Sequence, residues 1–350
     1  MMKAIRYGES LLNDGWQFVK LPAGSTLDNA MRAEWRAVDL PHDWLIAQAD
    51  NLYETADAWY RRSLTRREAD APVTLLRFDG VYMDCDVLLN GEVICTHPYG
   101  YTAFDADLSG KLHPGKNQVM VHIRHRSPNT RWYSGSGIYR DVKMIRLPEA
   151  HLTMDGLSTL TEKNARGWTV RLSAETVGDG TLFCELLDRA GHLVGSASAE
   201  AIRGRARAKI VLGQAREWTL ENPYLYTLKL RFGEDERTCR IGLRTLSFEP
   251  NSGFWLNGKN MKLNGVCEHH DFGCLGAALN EDALHRKLVK LKQMGVNAIR
   301  SSHNPPAPEL LSMCDTMGLI VMDESFDMWR RRKTQNDYAR FFDEWHERDL

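Results

Sequence analysis

Three short apolar runs late in the chain each end in residues that can bind or do chemistry. Met261–Cys267 leads into Glu268-His269-His270-Asp271, Val296–Ile299 into Ser301-Ser302-His303-Asn304, and Leu319–Met322 into Asp323-Glu324. His269 and His270 are neighbours, and neighbours on a strand point to opposite faces, so only one of them turns readily to a common site. Three readings stand for the first cluster. It contacts a sugar or anion, it holds a metal with His269, Asp271 and His303 as acceptable zinc ligands, or it is a hydrogen-bonded strand end with no ligand. No His-Glu-x-x-His sequence supports the metal. The prolines of His303-Asn304-Pro305-Pro306 fix an extended exit that would pose the His and Asn side chains. The plain alternative is a loop in which Asn304 bonds only local backbone. Asp323 and Glu324 suggest paired carboxylates, but retaining glycoside hydrolysis wants two carboxyls facing each other about 5–5.5 Å apart. Adjacent strand residues do not face each other. One of the two is therefore expected to orient another group, and the other to pack at a helix N-terminus.

These clusters sit on elements of a recognisable kind. Each run is strand-like, and helix-forming stretches separate them, so reactive residues at strand ends point to a parallel α/β barrel. Asn280 is the expected N-cap of the first helix, Leu284, Leu288, Leu291 and Met294 its apolar stripe, and Gly295 its stop. Pro308 and Gly318 bracket the second, and a third is expected over residues 338–350. Before the barrel the chain reads as β structure. Short runs such as Val73–Phe78 and Gln118–Arg124 predict a helix-free jelly roll over residues 1–147. Ile138–Ile145 reads as one more such strand. Asn90-Gly91 and Asn257-Gly258 carry the signature of type I′ hairpins. Residues 148–247 alternate apolar with polar over strand-length runs and predict an immunoglobulin-like sandwich. Residues 248–350 then supply three βα units of an incomplete TIM barrel. A barrel takes roughly 250 residues to close, so the sheet is expected to have an unpaired edge that invites aggregation or a partner.

Composition narrows the function. Lys and Arg number 45 against 46 Asp and Glu, a net charge of −1 that offers nucleic acid no basic surface. Arg330-Arg331-Arg332-Lys333 reads as a solvated loop. No apolar stretch approaches a membrane span, and Met1–Tyr7 has no apolar leader core, which points to a cytoplasmic protein. Seven cysteines show no Cys-x-x-Cys pair, and Cys85, Cys95 and Cys184, in apolar strand-like runs, read as buried free thiols. No Gly-x-Gly-x-x-Gly, P-loop or Gly-x-Ser-x-Gly signature is present.

Taken together, Gly265–Asp271, Met294–Pro305, Cys314-Asp315 and Val321–Glu324 resemble glycoside hydrolase family two, and look most like its bacterial β-galactosidases. So do Leu40-Pro41-His42-Asp43-Trp44, Trp59-Tyr60-Arg61, Gly135–Arg140 and Glu221–Tyr226 in the first two segments. The resemblance implies a jelly-roll sugar-binding domain, an immunoglobulin-like domain and a catalytic barrel, in a retaining, exo-acting enzyme that is a homo-oligomer at full length. It makes His269, His303 and Asn304 contacts of the bound sugar, with Asp323, Glu324, Arg131 and Trp132 as further candidates. It also implies that the acid and nucleophile glutamates lie beyond Leu350, so that this chain is an inactive N-terminal portion. Two positions depart from the pattern. The family's magnesium ligands fall on Asp327 and Trp329, and an aspartate that reaches the sugar falls on Arg131. A β-galactoside or related oligosaccharide is the expected partner. A β-glucuronide or β-mannoside is the alternative within the family, and a non-catalytic carbohydrate-binding or structural fragment the alternative of another class.

Overall fold

A computed structural model describes residues 7–47, 49–66 and 71–350. The leader expectation for Met1–Arg6 lies outside the described residues. The first segment is a jelly roll of two antiparallel sheets. A four-stranded sheet runs in the order Gly8–Leu11, Val142–Leu147, Val73–Phe78, Phe104–Asp107. The facing six-stranded sheet is centred on Ala56–Thr65 and Lys116–His125, paired from Ala56↔His125 to Thr65↔Lys116. Alternate residues of both sheets, Phe78, Leu76, Tyr60, Val87, Val121 and Met144 among them, meet in one core. Asn90 and Gly91 both take positive φ, as a type I′ turn requires.

Two local expectations fail in this domain. A helix, α1 (Leu27–Arg32), interrupts the strands, capped by Thr26 with Asn29 in a capping box. Its only buried residue is Ala30, so it carries too little apolar periodicity to announce itself. The run read as one strand over Ile138–Ile145 is two, Gly137–Ile138 and Val142–Leu147, pairing with different partners. Tyr139 and Arg140 lie between them and turn inward.

The second segment is a sandwich of a three-stranded sheet (His151–Asn164, Gly167–Val177, Arg205–Leu212) and a four-stranded one (Leu193–Glu200, Thr181–Leu187, Leu225–Phe232, Asp235–Gly242). Trp168, Leu182, Ile210, Leu228 and Phe232 fill the space between them. Trp218 seats this sandwich on the third segment: its indole donates to the Asp315 carbonyl at 2.7 Å and its ring packs with Phe254, Ala298 and Ile320.

The third segment holds a parallel sheet of Gly265–Glu268, Ala298–Ser301 and Ile320–Met322, in chain order. Helix α2 (Glu281–Gln293) starts at Asn280, which accepts from the Ala283 amide, and α3 (Pro308–Met317) stops at Gly318 in the left-handed region. Leu284, Leu288, Ile299, Cys314 and Leu319 make the core beneath them. The expected third helix is broken up: a single turn at Tyr338–Arg340 is followed by a short α4 (Phe342–Trp345). Its aromatic side chains pack on Tyr99 and Phe326 rather than along a helical stripe.

The jelly roll grips the barrel through Asp43. Its carboxylate accepts from the amides of Leu45 and Ser136, from the Tyr133 hydroxyl at 2.5 Å and, across to the barrel, from the Ala277 amide at 2.8 Å. Gly135 and Gly276, both at φ 67, close around it, and a Cβ on either would run into the carboxylate. A buried carboxylate is tolerable only with such a full set of donors. D43A strands four donors at the joint, so it should lower unfolding free energy by about 3 kcal/mol or more. Urea denaturation, with proteolysis at residues 273–280 as a local reporter, measures that loss.

Candidate functional site

The ends of the three parallel strands and one jelly-roll loop converge on a small aromatic wall. His269 leaves the first strand and lies flat against Trp132 of the jelly roll, ring centroids 4.8 Å apart at 16°. His303 follows the second strand and tilts against the same indole at 5.5 Å, with the two imidazoles 6.0 Å apart. Trp132 is set in place by its own indole N–H, which donates to the Tyr101 hydroxyl at 3.3 Å.

The tautomers follow from the partners. His269 Nδ1 lies 2.8 Å from the Ser302 carbonyl, which can only accept, so Nδ1 carries the proton. His303 Nδ1 lies 2.8 Å from a Glu324 carboxylate oxygen and donates there in the same way. Each ring then keeps Nε2 for a hydroxyl. Glu324 is itself fixed: its other oxygen takes Arg300 Nε at 2.5 Å, and its amide donates to the Ser301 hydroxyl. The result is a chain of support, Arg300 to Glu324 to His303, that sets a ring beside an aromatic face.

The neighbouring residues are distributed differently. His270 turns away from His269 toward the jelly roll. Its Nε2 donates to the Ser134 carbonyl at 2.9 Å, its ring meets Tyr101 and Tyr139, and its Nδ1 is shut off from solvent. Desolvation lowers its pKa to about 3, so it is neutral. Asn304 is buried, donates to the Pro305 carbonyl at 3.4 Å, and lines the cavity on the α2 and α3 side with Arg140 and Leu284. His303 lies instead on a small pocket with Tyr99, Tyr101, Trp132, Phe326 and Met328. His303 and Asn304 therefore face different spaces. Asp323 meets no helix N-terminus among its recorded contacts; its carboxylate accepts from Ser301 Oγ at 3.3 Å, and burial raises its pKa.

Arg131 stands on the rim with half its side chain exposed, and its Nη2 donates to Asp327 at 2.8 Å. Lys333 reaches the same oxygen at 2.6 Å, so the basic run is not wholly solvated. Trp329, which has no ligand atom, is 65% exposed and stacks on Phe342. These two positions do not compose a magnesium cage, since one offers no oxygen and the other is bonded to two cations. Nor do His269, Asp271 and His303 gather their ligand atoms. Among the described residues, the close group of such atoms is Asp79, Asp141 and Glu309, where the jelly roll meets α3.

The residues that sequence reasoning missed are Arg300 and Tyr101. Arg300 had a signal, a charge inside the strand Ala298–Ser301, which a strand tolerates where the side chain has a counter-ion. Nothing local marks Tyr101 as the support of Trp132.

Comparison with known proteins places these features. The model of "Glycosyl hydrolases family 2, sugar binding domain" matches residues 12–148, "Glycosyl hydrolases family 2" residues 155–244, and "Glycosyl hydrolases family 2, TIM barrel domain" residues 250–346. The chain is 42% identical to "Beta-galactosidase BoGH2A" of Bacteroides ovatus, over 91% of this chain and 41% of that protein. It is 33% identical to a "Putative beta-glucuronidase" of Formosa agariphila, over 98% and 35%. A solved β-glycosidase from Bacteroides vulgatus superposes with a TM-score of 0.88 at 32% identity, over 98% of this chain and 47% of that one. The chain spans less than half the length of each of these relatives.

The His270 environment has a pH consequence. Its folded pKa lies below the unfolded value of about 6.5, so the unfolded state binds the extra proton between those two values. Stability from this group is full above about pH 6.5 and is lost as pH falls toward about 3. In urea melts between pH 4 and 6, H270Q should flatten the slope of stability against pH by up to about 1.4 kcal/mol per unit.

Proposed function

We propose, for a chain that belongs to glycosyl hydrolase family 2, that its strand ends are the sugar-holding side of an exo-acting, retaining β-galactosidase. The observation that carries this reading is the Trp132 face flanked by two imidazoles, each held by a protein partner at Nδ1 and leaving Nε2 for a hydroxyl. An aromatic face takes the apolar side of a sugar ring, and fixed polar atoms take its hydroxyls. Hydrogen bonds set in advance in this way count most when they tighten in the transition state.

The same geometry keeps the local carboxylates out of the bond-breaking step. Glu324 has one oxygen on Arg300 and the other on His303, and Glu268 is bonded to Lys287 at 2.9 Å. We assign the acid and the nucleophile to barrel strands other than the three described. There one carboxyl protonates the glycosidic oxygen while the second forms the glycosyl-enzyme, which water releases. A second reading, a β-glucuronidase, is favoured by Arg131, whose unspent N–H groups beside Trp132 suit a uronate carboxylate.

The purified chain is expected to leave an aryl β-galactoside intact over hours; measurable release of the phenol would end the assignment of its carboxylates as spectators. In the whole protein, H303A is expected to lower kcat/KM by about 10²-fold. The substrate choice is read from kcat/KM on matched aryl galactoside and glucuronide. R131A should leave the galactoside rate within a factor of two if the first reading holds, and abolish glucuronide turnover if the second does.

A further inference from the structure

The rim of the site contains an arrangement of charge that the sugar contacts do not explain. Asp327 follows the third strand, and its side chain is only 5% exposed. One oxygen lies 2.8 Å from Arg131 and 2.6 Å from Lys333, groups that come from the jelly roll and from the loop after the third strand. The other oxygen is cut off from solvent and has no hydrogen-bond partner. Two cations thus share one carboxylate, and the group as a whole carries a net positive charge next to Trp132.

We infer that Arg131 and Lys333 stand in for a divalent cation at this mouth, so that the site keeps its positive charge on the protein and takes up no metal there. The location rests on the proposed sugar site; the metal claim does not depend on which sugar binds. Three facts carry it. The carboxylate facing the rim is already neutralised, and an approaching divalent ion meets two like charges at contact distance. The free Asp327 oxygen is sealed away, whereas a magnesium ion keeps several waters and enters through them. Among the described residues, the carboxylates next in the chain are already engaged: Glu324 is held by Arg300 and His303, Asp323 by Ser301. An arginine stays charged at any working pH, and its Asp327 bond fixes where that charge sits. The charge is therefore permanent, where a bound ion would come and go with its concentration.

Ion counting alone would mislead, because Asp79, Asp141 and Glu309 offer acidic oxygens elsewhere. The test therefore uses a local reporter in the unmodified chain. Met328 adjoins Asp327 and lines the same pocket, and its methyl signal can be assigned in methyl-labelled protein by M328L. With Mn²⁺ added in several-fold excess, the Met328 signal is expected to keep its intensity. Selective loss of that signal at stoichiometric Mn²⁺ would overturn the inference. A converse variant tests the cause: R131D/K333A exchanges both cations for one more carboxylate beside Asp327. If it is folded by circular dichroism, Mn²⁺ should now bleach Met328. If the signal survives in that variant too, the two cations are not what keeps the ion out.

Discussion

The candidate site depends on polar groups buried between the jelly roll and the barrel that find their partners across that joint. Asp43 is the clearest instance, but not alone. Arg140 is 2% exposed and its guanidinium is spent on carbonyls, those of Asp79 and Tyr101 in the jelly roll and Pro305 after the second barrel strand. Tyr99 reaches the Ser325 carbonyl after the third strand at 2.6 Å. One buried group from the jelly roll thus fastens each loop that carries the chemistry-bearing residues. Such contacts add little net stability over apolar packing, yet they tolerate no sliding, because a shift would strand a buried charge or donor. That intolerance sets Trp132 against His269 and His303 to within a ring's width.

The joint also explains the division of labour within each strand end. His269 and His270 differ by one residue and two faces; the first meets Trp132, the second meets Ser134 and two tyrosines. Ser301 and Ser302 divide in the same way, one supporting Glu324 and the other lending its carbonyl to His269. Just past each strand, neighbouring residues turn to site and to scaffold, and both are polar here because both surfaces are interfaces.

Much of this was legible in the residues. The parallel sheet, the Asn280 and Gly318 helix ends, both Asn-Gly turns and the split between His269 and His270 follow from local rules of φ, capping and periodicity. Three expectations required knowledge of distant partners. The strand read over Ile138–Ile145 divides because Tyr139 and Arg140 are drawn into the interface. The helix expected over residues 338–350 is broken where its aromatic residues pack on Tyr99 and Phe326 as well as on one another. The bonding of Lys333 to Asp327 was hidden for the same reason, since a basic run has no sequence mark that tells a salt bridge from a solvated loop. Family resemblance pointed to His269, His303 and Trp132, and physical periodicity alone would have left the indole in the core of the jelly roll.

The bond from Asp43 to Ala277 spans 234 residues of chain. During synthesis the jelly roll emerges first, and domains fold as units in that order, seconds before the barrel loops exist. Asp43 and Arg140 would then wait at a finished surface with part of their bonding set missing, covered by water. The late segment gains its loop geometry by docking onto them. The N-terminal domain thus acts as a mould for the site, and swapping its loop at residues 129–140 between relatives would reshape the pocket without touching the barrel.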